Sequence, residues 1–318
     1  MKRIGFTLSA EEHAGSHLVE LGQRAEAAGF DFVMVSDHFH PWTDTQGHSP
    51  FVWSVVGGLA QSTERVRIGT GVTCPTIRIH PAIVAQAAAT AGEMSGGRFF
   101  LGVGSGENLN EHILGDRWPP AAERLDMLGE AIEVIRKLWK GDSISHRGPH
   151  YTVENARIYT LPDAPPQIMV AAAGEKAIEL AKSHGDGLIA TAPDPELVEA
   201  FNSGGKESKP RYGQVHVCWG EDEDSAIKTA YEGWPNAALK GELGQELPLP
   251  RHFEQAAENL TRSDVADAVV CGPDPERHKE AINAYFDAGF DHVWVHQVGP
   301  DQEGMLSFYE SKILPELS

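Results

Sequence analysis

Ala28-Gly29-Phe30-Asp31-Phe32-Val33 near the start of the chain is echoed by Ala288-Gly289-Phe290-Asp291-His292-Val293 near its end. In each copy a helix-patterned run stops at a glycine suited to a left-handed cap, and the following residues enter a strand. Any helix-to-strand loop can look like this, so the echo matters through what lies between the copies. Arg3 to Leu8 reads as a strand, and Ser16 to Ala28 places Leu18, Leu21, Ala25 and Ala28 on one helix face. Strands follow at Phe32–Val35, Val66–Val72, Phe99–Val103, Ile168–Ala171, Gly187–Ala190, Val215–Trp219, near Ala268–Val270, and at His292–Val295. Helical patterns separate them at Ile83–Met94, Ala121–Trp139, Glu175–Ser183, Glu221–Glu232 and Glu276–Ala288. Apolar strands joined by crossover helices specify a parallel sheet covered on both faces. With about eight such units the expected fold is α/β, a (β/α)8 TIM barrel.

Two stretches break the alternation. Residues 140–166 carry Gly141-Asp142, Gly148-Pro149 and Pro162 to Pro166 around short alternating segments, which fits a hairpin-like excursion. Residues 233–251 are rich in Gly, Pro, Leu and Glu without periodicity, as in a lid, a substrate cover or an oligomer contact. Both are read as insertions on a single barrel domain spanning 1–318.

Composition narrows the partners. The 318 residues include 26 Lys and Arg against 46 Asp and Glu, a formal net charge of −20. Binding to nucleic acid draws on clustered cations, so this balance argues against it, while leaving room for a local basic pocket. No run approaches the roughly 20 apolar residues that span a bilayer, and the start leads directly into a strand, so a cytoplasmic protein is expected. Cys74, Cys218 and Cys271 are odd in number and widely spaced, giving neither a disulfide framework nor a zinc pattern. No two histidines stand at HxxxH spacing with an intervening glutamate, and no metal is expected.

In a parallel barrel the chemistry gathers where strands end. The second strand ends in Ser36-Asp37-His38-Phe39-His40-Pro41-Trp42; an acid beside histidines must find partners in such a mouth. The third ends in Thr70-Gly71-Val72-Thr73-Cys74-Pro75, where glycine permits close approach of a flat ligand. The fourth ends in Gly104-Ser105-Gly106-Glu107-Asn108-Leu109-Asn110-Glu111, a glycine-loosened loop that lacks the last glycine of a dinucleotide fingerprint. After the fifth comes Ala171-Ala172-Ala173-Gly174-Glu175-Lys176, either a tight turn or a helix start able to hold a phosphate with help from Lys176.

Together with Gly47-His48-Ser49-Pro50-Phe51 and His80-Pro81-Ala82-Ile83-Val84-Ala85-Gln86, these segments resemble the luciferase-like flavin and deazaflavin oxidoreductases. Within that family the likeness is to the branch of the coenzyme F420-dependent glucose-6-phosphate dehydrogenases, dense over about residues 5 to 140. The resemblance implies a homodimeric barrel with the deazaflavin across its mouth. It assigns cofactor contacts to Asp37, Cys74, Ser105, Gly106, Asn110, Ala173, Gly174, Lys176 and Ala177, and a non-prolyl cis peptide to Gly71-Val72. It further implies His38 as base, Glu107 as proton-handling carboxylate, and Trp42, Glu11 and Thr191 lining the site. Asp194 stands where the sugar-phosphate enzymes have a phosphate-holding lysine, which makes glucose 6-phosphate a poor candidate. The activity implied is an F420-dependent dehydrogenase or reductase acting on a hydroxyl of a small alcohol or sugar-like molecule. The alternatives are an FMN-dependent monooxygenase of the same superfamily and a non-catalytic barrel that binds a flavin or deazaflavin.

Overall fold

The computed structural model describes residues 2–203 and 209–317. Its strands, in chain order, are β1 (Arg3–Leu8), β2 (Phe32–Val35), β3 (Arg67–Thr70), β4 (Phe99–Val103), β5 (Ile144–Arg147), β6 (Thr152–Ala156), β7 (Ile168–Ala171), β8 (Gly187–Ala190), β9 (Arg211–Cys218), β10 (Val270–Cys271) and β11 (His292–Gln297). Eight of them close a parallel ring in the order β1-β2-β3-β4-β7-β8-β9-β11, with β11 pairing back onto β1. The expected (β/α)8 barrel is therefore the observed fold.

Both copies of the echoed segment do the same job at the floor of this ring. Gly29 and Gly289 take φ values of 98° and 99° and end their helices. The aspartate two residues later then ties its own strand to the neighbouring one. Asp31 accepts the Ile4 amide at 2.9 Å and pairs with Arg3. Asp291 accepts the Arg211 amide at 3.0 Å and its Nε at 3.2 Å. Asp186, just ahead of β8, repeats the device on the Ile168 amide at 2.8 Å.

Above the floor the ring is plugged by Phe32, Met34, Phe100, Met169, Ile189, Tyr212 and Trp294, all buried. The rings of Phe32 and Tyr212 meet edge to face at 5.3 Å, a favoured aromatic geometry. Space for the plug comes from glycine in the strands. A Cβ on Gly69 would lie 2.3 Å from the Phe100 ring, and one on Gly5 would lie 2.4 Å from Phe32.

Residues 140–166 hold the antiparallel β5–β6 hairpin, as expected. Residues 233–251 fold into a short turn of 3-10 helix at Pro235–Ala238 and the helix Leu243–Glu246, then enter the helix Pro250–Ala257. Two sequence expectations need correction. The strand near Ala268–Val270 is the two-residue β10, which pairs only with the end of β9 and is no stave of the ring. The β9 stave begins at Arg211, earlier than its apolar run, because Tyr212 and Gly213 pair with both neighbours.

The helix Val52–Ser62 is not evident from the pattern, since Val, Trp and a Gly57-Gly58 pair disfavour a helix intrinsically. Packing overrides that preference. It lies against the helix Gly15–Ala28 so closely that a Cβ on Gly22 would come within 2.2 Å of Leu59, and one on Gly58 within 2.7 Å of Val19.

Candidate active site

Every site residue singled out in the sequence faces one cavity of about 740 Å³ at the C-terminal ends of the strands. The plug forms its base and residues 234–253 form much of its roof.

His38 stands at the centre of the polar wall. Its Nδ1 lies 3.1 Å from the carbonyl of His40; a carbonyl only accepts, so Nδ1 carries a proton and Nε2 is the working nitrogen. That Nε2 is 3.3 Å from Glu11 and 3.3 Å from Glu107. Burial opposes protonation of the imidazole, but the two carboxylates outweigh it and raise its pKa above the usual value. Burial equally opposes ionisation of Glu11, yet His38 and the Ser36 hydroxyl, which donates at 2.6 Å, hold its carboxyl below the usual range. Glu107 goes the other way. Burial lifts its pKa, with Glu11 adding repulsion against the pull of His38. Its side chain is still 31 % exposed, so it is reachable from the cavity. Environments that push two neighbouring carboxyls apart mark one as a charge partner and the other as a proton carrier.

Asn110 sets the spacing of this group. Its amide donates to Glu107 at 2.9 Å, while its oxygen accepts the amides of Phe39 at 2.9 Å and His40 at 3.2 Å. Trp42 packs on His38 with ring centroids 4.9 Å apart and is itself met edge-on by Phe253 at 5.1 Å.

Beneath lies a second charged set. Asp37 accepts from Thr73 at 2.8 Å and from Arg78 at 2.8 Å, and Arg78 also engages Glu111 through its amide at 2.7 Å. The Gly71–Val72 peptide bond is cis. Cys74 is buried against Thr76 at 2.9 Å, and burial pushes its thiol well above the usual range, so it is no nucleophile. Gly106 is required here twice over: its φ is +87°, and a Cβ would lie 2.6 Å from the Cys74 sulfur.

The opposite wall is built of small residues. Ala171 to Gly174 and Ala177 leave a flat groove, with open space above Gly174 at the start of the helix Glu175–His184. No side chain caps that helix. Lys176 makes no ion pair among the described residues and is the only lysine or arginine on the cavity wall. A flat ring against small residues with an anionic arm at an uncapped helix start fits this wall. Thr191 sits exposed at the rim. Asp194 is not on the wall; its carboxylate caps the helix Pro195–Asn202 through the Glu196 and Leu197 amides at 2.9 and 3.3 Å.

Sequence reasoning passed over Arg78, Gln214, His216, Trp234, Phe253 and His296. Gln214-His216 and Trp294-His296 are polar or bulky at every second position of otherwise apolar strands. That is the period of inward-facing barrel positions, and it could have revealed them. Arg78, Trp234 and Phe253 lie outside the barrel strands, and no such signal marks them.

The chain is similar to known proteins over its whole length. Over 328 residues the chain is 39 % identical to the F420-dependent glucose-6-phosphate dehydrogenase of Microbacterium testaceum (strain StLB037), covering 99 % of this chain and 97 % of that one. Its counterpart from Beutenbergia cavernae is 38 % identical, with 100 % and 98 % covered. A solved F420-dependent secondary alcohol dehydrogenase in complex with an F420-acetone adduct superposes with a TM-score of 0.92 at 29 % identity, covering 100 % of this chain and 99 % of that one. The F420-dependent tetrahydromethanopterin reductase of Methanopyrus kandleri, at 20 % identity and a TM-score of 0.81, shares the fold. The model of the luciferase-like monooxygenases matches residues 1–292, nearly the whole ring and all of its mouth up to β11, and the chain belongs to that family.

Proposed function

We propose that this chain is an F420-dependent dehydrogenase that moves a hydride between the hydroxyl-bearing carbon of a small alcohol or sugar-like substrate and the deazaflavin, in either direction. The observation that carries this reading is His38, with Nδ1 fixed on a carbonyl and Nε2 between two carboxylates of opposite tendency. Coenzyme F420, when bound, supplies the carbon that accepts or donates the hydride.

The chain's own groups supply the rest. His38 takes the hydroxyl proton on Nε2, and Glu11, ionised, stabilises the resulting imidazolium. Such a base contributes about 10²–10⁴ in rate. Glu107, whose pKa burial raises above the usual carboxylate value, serves the cofactor side as the proton carrier, where Asn110 orients it. Trp42 walls the substrate. Asp37, Gly71, Val72, Cys74, Ser105 and Gly106 support the ring face. Ala173, Gly174, Lys176 and Ala177 take the anionic arm, and Thr191 lines the substrate rim. The whole chain acts as one barrel domain and works as a homodimer in the cytoplasm without nucleic acid or membrane.

Glucose 6-phosphate, named for the curated relatives, is disfavoured here. Glu11, whose ionised form is favoured, faces the cavity, Asp37 and Glu111 are already neutralised by Arg78, and Lys176 is the only lysine or arginine among the described lining residues. A phosphate dianion placed at this polar wall meets the Glu11 carboxylate with no unpaired cation of the wall beside it. The test is F420 absorbance during incubation with secondary alcohols, sugars and sugar phosphates. Bleaching with unphosphorylated substrates is expected. Tight FMN binding without F420 binding would overturn the reading, and F420 binding without hydride transfer would favour a non-catalytic barrel.

A further inference from the structure

The proposed chemistry uses one histidine of the cavity and leaves two. His216 on β9 and His296 on β11 stand opposite each other in the strand register, with ring centroids 5.1 Å apart, and both face the cavity. His296 is only 3 % exposed. Its Nε2 is 3.3 Å from one oxygen of Glu12, whose other oxygen takes the Gly299 amide at 3.0 Å. The Nε2 therefore carries the proton, and Nδ1 is left without a hydrogen-bond partner among the described residues. The Nδ1 of His216 is also unpartnered. Burial and the neighbouring His296 push the His216 ring down to about 3, so it is uncharged near neutrality. Buried polar nitrogens in native proteins are nearly always paired, and here two histidines of the cavity wall keep hydrogen-bonding capacity that no described residue uses.

The position of this pair relative to the reacting centre is fixed by two consecutive carboxylates. Glu11 faces His38 and Glu12 faces His296, and neighbouring residues are about 3.8 Å apart along the chain. Each histidine is also backed by a tryptophan: Trp42 at 4.9 Å from His38, and Trp234 edge-on at 4.6 Å from His296. The cavity thus presents two polar poles of similar make, each with a tryptophan beside it. One is charged when protonated. At the other, His216 is uncharged near neutrality and can accept a hydrogen bond from a hydroxyl.

We propose that His216 and His296 are specificity-determining residues that hold a second, uncharged hydroxyl of the substrate, so that the preferred substrate is an unphosphorylated diol or polyol. This rests on the dehydrogenase reading for the fate of the first hydroxyl, though not for binding of the second. A negatively charged group is disfavoured in the same cavity by Glu11.

The test uses the F420-loaded protein and size-matched ligands: 2-hexanol, 1,2-hexanediol, 2,5-hexanediol and glucose 6-phosphate. Dissociation constants are read by calorimetry with the cofactor reduced, which prevents oxidation of the ligand, and kcat/KM is read with the cofactor oxidised. At least one diol is expected to bind about tenfold or more tighter than 2-hexanol in the parent protein. In H216F and H296F that ratio falls towards one, chiefly through KM. H216Q, which restores a hydrogen-bonding group, recovers part of it. Melting temperatures show which variants are folded, and H216F with H216Q suffices if H296F is not. Equal binding of mono-ol and diols, an undiminished ratio in H216F, or a preference for glucose 6-phosphate would overturn the proposal. Diol discrimination without F420 turnover would sustain the histidine pair while overturning the dehydrogenase reading; turnover without discrimination would do the reverse.

Discussion

The two ends of the barrel use the same residue types to opposite effect. At the floor, Asp31, Asp186 and Asp291 accept backbone amides at strand starts and pair with arginines, so their charge is consumed in closing the ring. At the mouth, Glu11 and Glu107 share one imidazole, and Glu107 keeps its pKa raised. Fully satisfied carboxylates hold strands together. Incompletely satisfied ones leave a proton to be moved.

Substitutions at the two ends should separate those roles. The largest effect is expected from His38→Ala, with turnover lower by about a hundredfold or more and F420 affinity little changed. Steady-state kinetics and a cofactor fluorescence titration check this, and near-normal turnover would remove His38 from its role. Next comes pH. Alcohol oxidation needs the neutral ring, so kcat/KM should climb as pH rises through the elevated His38 pKa. Glu107→Gln removes one of the charges favouring the imidazolium and should shift that limb to lower pH; a limb that stays in place would uncouple the pair.

At the floor, Asp291→Asn should cost about 1–3 kcal/mol, seen as a melting temperature lower by a few degrees with no change in the pH–rate profile. Burial opposes ionisation of Asp291, but His292 and Arg211 outweigh it and hold its pKa below the ordinary value. The stability it contributes is complete above the unfolded value of about 3.9 and is lost as pH falls through the lower folded value. The gap between parent and variant should therefore narrow only in that acid range, and a gap that narrows near neutrality would contradict the staple. Smallest of all is Arg117→Ala. Its pair with Glu123 at 2.7 Å is solvent-exposed and belongs to neither end, and the expected change is below about 0.5 kcal/mol.

The floor was more legible in the sequence than the roof of the mouth. Gly29-Phe30-Asp31 and Gly289-Phe290-Asp291 act locally, between a helix end and the strand that follows, so their pattern announces their structure. The strand-end residues Asp37, His38 and Glu107 were legible for a related reason, because apolar runs mark where a barrel strand stops. The helix Val52–Ser62 was not, since its formation depends on Gly22 and Leu59 meeting across space. Nor was the partnership of Arg78 with both Asp37 and Glu111, which brings together three separate loops. Phe253 reaches Trp42 from the helix Pro250–Ala257, across a contact that local pattern does not announce. The cis peptide at Gly71–Val72 was anticipated only through family resemblance, no residue type there requiring it.

Glu12 and His296 meet across 284 positions of sequence, and β1 finds its partner β11 only at the end of the ring. During synthesis from the N-terminus, Asp37, His38 and Glu107 emerge early, but the wall that carries His216 and His296 follows much later. An unfinished chain therefore has the base and the acid without the compartment around them. Recognition of a ligand by both poles waits until β11 has been made and has paired with β1.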